Sequence, residues 1–166
     1  MKLRIVFFVV AIVISAVAIS AQTRQPSTAI RSFVVKTKQS LDDLEKKLST
    51  GNNVEDLIGG KGMETRVAIQ HDSDRVGADA ELHDASDDVY YVLKGKATLV
   101  LGGKLVDPKE TSPGEWKSKK TEGSQTVEIN EGDLIVVPRG TVHQRTVTGK
   151  GFSMILIKIY EDPLPK

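Results

Sequence analysis

The chain of 166 residues contains no cysteine, only three histidines and few aromatic side chains, 5% in all. Without cysteine there is no disulfide framework, no thiolate metal site and no thiol catalysis. Any metal must be held by histidine and carboxylate. Net charge is also nearly absent: +1 overall, from 23 basic and 22 acidic residues. A surface so balanced argues against nucleic acid or an anionic membrane as the main partner. No Gly-x-Ser-x-Gly elbow is present, so a serine triad is not indicated. Gly59-Gly60-Lys61-Gly62 is glycine-rich but lacks the strand and helix that would make it a phosphate loop.

One long apolar run stands out against this ordinary soluble composition. Met1-Lys2-Leu3-Arg4 carries two positive charges, and Ile5 to Ala21 is uncharged and apolar or small throughout. The run is short for a bilayer span and ends in Ala18, Ser20 and Ala21, residues that suit a signal peptidase. Residues 1–21 therefore read as a signal peptide of a secreted or periplasmic protein, the alternative being an N-terminal membrane anchor. After cleavage no membrane partner is expected. Removing Lys2 and Arg4 leaves 21 basic residues against 22 acidic.

Residues 22–60 read as a linker followed by a short N-terminal helix. Ser32 to Lys36 has the composition of a short strand. Ser40 is a good N-cap with Asp43 three residues on, Leu41, Leu44 and Leu48 share a helical face, and Gly51 ends the run. That leucine stripe is expected to pack on the outside of the main domain. From residue 61 to 166 the pattern becomes that of an all-β domain. Runs at Thr65–Gln70, Val89–Leu93, Ala97–Leu101, Thr126–Ile129, Leu134–Val137, Val142–Val147 and Phe152–Tyr160 are separated by glycine-bearing turns. Short strands at such spacing, with no helices between, indicate a sandwich or barrel. Lys104 to Ser124, lysine-rich and bearing the sole tryptophan Trp116, breaks the rhythm and reads as a long loop. Its Lys117, Lys119 and Lys120 read as solvated.

Chemistry has few places to reside. Glu81-Leu82-His83 puts two potential ligands on one face of a strand, because side chains alternate. Asp88 follows at the start of the next strand. Gly132 to His143 combines a turn glycine, a buried strand, the turn Pro138-Arg139-Gly140 and a histidine, an arrangement that delivers His143 to a fixed place.

These two segments resemble the two signature motifs of the cupin superfamily. In the second motif Gly132, Pro138, Gly140 and His143 match every spacing, and Val147 stands where the family has asparagine. In the first, Glu81, His83, Asp88 and Gly95 occupy the ligand and glycine positions, with Glu81 and Asp88 replacing histidine and glutamate. The likeness runs from about Thr65 to Tyr160. It implies a double-stranded β-helix, the jelly-roll barrel, with both motifs lining one pocket. It also implies a divalent metal (iron, manganese, zinc or nickel) on His83, Asp88, His143 and Glu81. Such mixed histidine–carboxylate sets suit these ions.

Other residues are placed by strand parity. Tyr90 shares a face with Asp88, and His71 shares one with Val67 and Ile69, making both candidate acid–base groups of the pocket. His71 has a second reading, as a solvated turn residue beside Asp72. Arg145 reads as a surface charge. Two functions stay open: a metal-dependent enzyme of oxygenase, isomerase or lyase type acting on a small molecule, and a non-catalytic, metal-free small-ligand-binding protein. A homodimer is a prior taken from the resemblance.

Overall fold

A computed structural model describes residues 26–29, 31–59 and 63–162; the expected signal peptide lies outside them. Among the described residues no helix is long and apolar enough to cross a membrane. Residues 26–29, 31 and 32 carry no regular element, and the chain from Phe33 onward is one compact unit. In order, that unit contains α1 (Lys38–Leu48), β1 (Asn53–Ile58), β2 (Thr65–Ser73), β3 (Ala80–His83), β4 (Ser86–Lys94), β5 (Lys96–Leu101) and β6 (Lys104–Val106). It continues with β7 (Lys109–Ser112), β8 (Glu115–Ser118), β9 (Lys120–Glu122), β10 (Gln125–Asn130), β11 (Leu134–Val137), β12 (His143–Thr146) and β13 (Lys150–Tyr160).

The strands form two antiparallel sheets, β1-β2-β13-β4-β11 and β10-β5-β12-β3-β8-β7, with β6 and β9 as a small separate pair. This is the expected all-β barrel. Between the sheets lies the main core, in which Val92, Met154 and Phe152 from one sheet meet Leu99 and Ile129 from the other. Phe152, Met154, Val92 and Leu99 are at most 1% exposed. Val147, at the position of the family's asparagine, is part of this apolar core. A second cluster lies outside the first sheet, where Leu44 and Leu48 of α1 cover Ile69, Leu93 and Ile155.

Four local expectations are corrected. The helix is capped three residues before the expected position. Thr37, in extended conformation, accepts the Ser40 amide on its hydroxyl and is the N-cap, while Ser40 lies inside the helix. Ser32–Lys36 forms no strand: Phe33 is 91% exposed, and β-propensity alone does not order a backbone that has no strand beside it. Lys104–Ser124 is not an open loop but four short strands, of which β8 extends the second sheet by pairing with β3. Runs of three or four residues rich in lysine are too brief for alternation to register in the sequence. Asn53–Ile58, within the span 22–60 expected to hold only a linker and a helix, pairs with β2 as an edge strand.

Candidate metal centre

The register of the second sheet builds the site. Glu81 and His83 lie on β3, and His143 opens β12 directly opposite Glu81. The turn before β12 needs Gly140, whose φ of 76° favours glycine, and its amide donates to the His83 carbonyl at 2.8 Å. One motif is thus tied to the other by a backbone bond. The two imidazole centroids lie 5.0 Å apart. One ligand atom from each of Glu81, His83 and His143 falls within 4.8 Å of the other two.

Hydrogen bonds behind the rings determine which nitrogens face inward. His143 Nδ1 donates to the Thr141 carbonyl at 3.0 Å. His83 Nδ1 donates to the Glu115 carboxylate at 2.5 Å. Each bond assigns the proton to Nδ1 and leaves the Nε2 lone pair available, the arrangement that carboxylates and carbonyls impose on metal-binding histidines. His83 Nε2 is buried and has no hydrogen-bond partner among the described residues. A buried acceptor so left is costly unless something fills its lone pair. Burial also pushes the His143 imidazole below the ordinary histidine value, keeping it neutral. These features fit a divalent ion.

Across the barrel, Asp88 on β4 stands close behind this trio. Its Oδ2 is 3.6 Å from His83 Nε2 and 3.9 Å from His143 Nε2, too far for hydrogen bonds. Its Oδ1 accepts from Lys158 Nζ at 2.7 Å, and Tyr90 donates to Oδ2 at 3.2 Å. Burial alone would raise the Asp88 carboxyl, but His83 and Lys158 outweigh it and hold the group at about 2. Burial similarly opposes ionisation of Glu81, yet the Lys117 ammonium bonded to it at 2.9 Å keeps its carboxyl below the ordinary range. For His83 the burial penalty is overcome by the neighbouring Asp88 and Glu115 carboxylates, so its value is raised. Burial and Asp88 push the Tyr90 phenol far up, so Tyr90 is a proton donor at neutral pH.

The four expected metal residues, Glu81, His83, Asp88 and His143, line one pocket together with Tyr90. Glu81, His83 and His143 form the tight set, and Asp88 is engaged by Lys158. His71 is not in the pocket. The parity with Ile69 holds, but that face is the outer one beneath α1, where His71 is 2% exposed and its Nδ1 shares a hydrogen bond with Ser153 Oγ. It is therefore neither a pocket group nor solvated. Arg145, read as a surface charge, turns inward: Nη2 is 2.7 Å from Asp72, and the guanidinium packs over Tyr90 and Phe152. The side chains of Lys117 and Lys119 reach solvent, as read, and each also pairs with a carboxylate, Glu81 and Asp79 respectively.

Sequence reasoning missed Glu115, Lys158 and Arg75. Glu115 lay within the supposed loop. Lys158 faces Asp88 across the β13–β4 register, and its signal was an isolated lysine in the apolar run Phe152–Tyr160. An isolated charge in a buried strand calls for a partner.

No protein-family model and no curated protein sequence matches the chain. Solved structures do. The structure of BH2720 from Bacillus halodurans superposes with a TM-score of 0.53 at 20% identity, covering 81% of this chain and 86% of that one. The DMSP lyase DddQ from Ruegeria pomeroyi gives 0.50 at 15% identity over 86% of this chain and 79% of its own. A cupin superfamily protein from Desulfitobacterium hafniense gives 0.43 at 19% identity over 67% and 81%. The first two superpositions bear on the fold alone, and that fold is the double-stranded β-barrel expected of a cupin.

Proposed function

From a cupin fold with two inward histidines, we propose that the protein binds a divalent metal through His83, His143 and Glu81, with Asp88 beside them. We further propose that the mature protein is exported and acts on a small molecule in this pocket. The observation that carries the metal is the buried Nε2 of His83, unpartnered among the described residues, with Nδ1 already committed to Glu115. A bound ion would supply Lewis acidity or an activated water. The chain's own residues would do the rest. Glu115 and the Thr141 carbonyl hold the two rings in orientation, Lys117 fixes one Glu81 oxygen, and Tyr90 presents a protonated hydroxyl beside Asp88. Tyr90 is accordingly the candidate proton donor.

A second reading, a metal-free binding protein, rests on one observation. The Lys158 ammonium already neutralises Asp88 inside the pocket. Elemental analysis of the purified protein separates the two. Stoichiometric iron, manganese, zinc or nickel, lost in the His83→Ala, His143→Ala double variant, supports the metal site. A correctly folded protein that carries no metal and is indifferent to chelator refutes it. Export is tested by cell fractionation and intact mass, expected to show a chain shortened by about 21 residues. Full-length protein in the cytosol would overturn that part. Sedimentation of the same sample tests for a homodimer, and a monomer would exclude it.

A further inference from the structure

We infer that the ligand of this pocket is a small organic carboxylate and that Arg75 is the residue that recognises it. The inference rests on the proposed pocket in so far as the ligand shares its cavity, and it adds the ligand's charge class. Arg75 lies between β2 and β3, with its carbonyl fixed by the Val147 amide at 3.0 Å. Its side chain lines the same cavity of about 200 Å³ as Glu81, His83, Asp88 and His143.

Charge pairing singles out Arg75. Four cations line the cavity, and three have a close carboxylate: Arg66 with Asp56 at 2.8 Å, Arg145 with Asp72 at 2.7 Å, and Lys158 with Asp88 at 2.7 Å. The acids Glu81 and Asp79 are likewise taken by Lys117 and Lys119. For Arg75 the nearest carboxylate oxygen among the described residues is Asp72 Oδ1 at 4.0 Å, beyond hydrogen-bond reach. That oxygen already accepts from Gln70, while Oδ2 is held by Arg145. Arg75 Nε is buried and without a partner among the described residues.

A guanidinium cannot shed its charge, and a buried N–H without an acceptor is costly. Its planar fork matches a carboxylate through two parallel hydrogen bonds. The cavity holds about seven water volumes, which limits the ligand to a few carbon atoms beyond the carboxylate.

The test is calorimetric titration of the protein as purified, its metal content measured first, with acetate, glycolate, malonate and succinate and with their neutral amides. At least one acid is expected to bind about tenfold or more tightly than its amide, in keeping with a charge-assisted pair. Arg75→Gln should abolish that preference with metal content unchanged, and Arg75→Lys, which keeps the charge, should retain part of it. Acids and amides binding alike, no acid binding at all, or a preference that survives Arg75→Gln would each overturn the assignment. Failure of the metal reading is distinguishable: a metal-free protein that still prefers acids, and loses this in Arg75→Gln, would refute the metal and leave Arg75 assigned.

Discussion

Lys158→Met should act in opposite directions on the empty protein and on the metal-bound one. In the metal-free state Lys158 Nζ sits 2.7 Å from Asp88 Oδ1, with the two side chains only 13% and 4% exposed. Removing the ammonium leaves a buried carboxylate supported by Tyr90 alone among its hydrogen bonds. Breaking a buried pair from one side costs about 3–5 kcal/mol. Met fills much of the vacated volume and Tyr90 persists, so about 2–3 kcal/mol is expected. For a domain of this size that lowers Tm by about 6–12 °C. With metal present the sign reverses. The variant removes a positive charge beside the site and frees a carboxylate to become a fourth ligand. One unit charge at close range is worth about 1–4 kcal/mol between aqueous and intermediate dielectric, or about tenfold and upward in affinity. Differential scanning calorimetry of the chelated protein and competition titration with a chromophoric chelator read the two effects. Lower apoprotein stability together with weaker metal binding would refute the reasoning, because Lys158 would then support the site rather than oppose it.

Other consequences can be checked on the same material. Glu115→Gln removes the carboxylate behind His83 and should weaken metal binding about 10- to 100-fold, with little change in Tm because Glu115 is 38% exposed. Asp88 is held at about 2 in the folded, metal-free protein, below its ordinary value of 3.8. A depressed carboxyl stabilises the fold above its unfolded value and loses that contribution as protons bind. Urea midpoints of the apoprotein should therefore fall between about pH 4 and pH 2, a contribution of about 2 kcal/mol, and Asp88→Asn should remove that part of the slope. Val147→Asn, which restores the family's residue, should destabilise by about 1–3 kcal/mol by placing an amide in an apolar core, measurable by chemical denaturation.

The barrel was legible because its determinants are local. Glycine, proline and histidine at fixed intervals from Gly132 to His143 specify a turn that any sequence reading can find, and the turn carries His143 to β3. The alternation of Glu81 and His83 did the same for the opposite ligand face. Less was legible where the outcome depended on which way a whole strand faces. The shared face of Val67, Ile69 and His71 followed from parity, yet parity cannot say which side the helix covers. Arg145 was misplaced for the same reason, since its pairing with Asp72 is a tertiary contact spanning 73 residues. Glu115 was hidden because β8 is a four-residue strand whose partner β3 is distant in sequence. Its register opposite His83 follows from sheet order, which sequence spacing does not encode.

Anomalous diffraction from crystals grown with cobalt or manganese tests the metal reading most directly. The account predicts one strong peak in the barrel, bonded to Nε2 of His83 and of His143 and to a Glu81 oxygen, with both Nδ1 atoms still on Glu115 and Thr141. A barrel with no anomalous density, or a metal bound only at surface carboxylates, would contradict it.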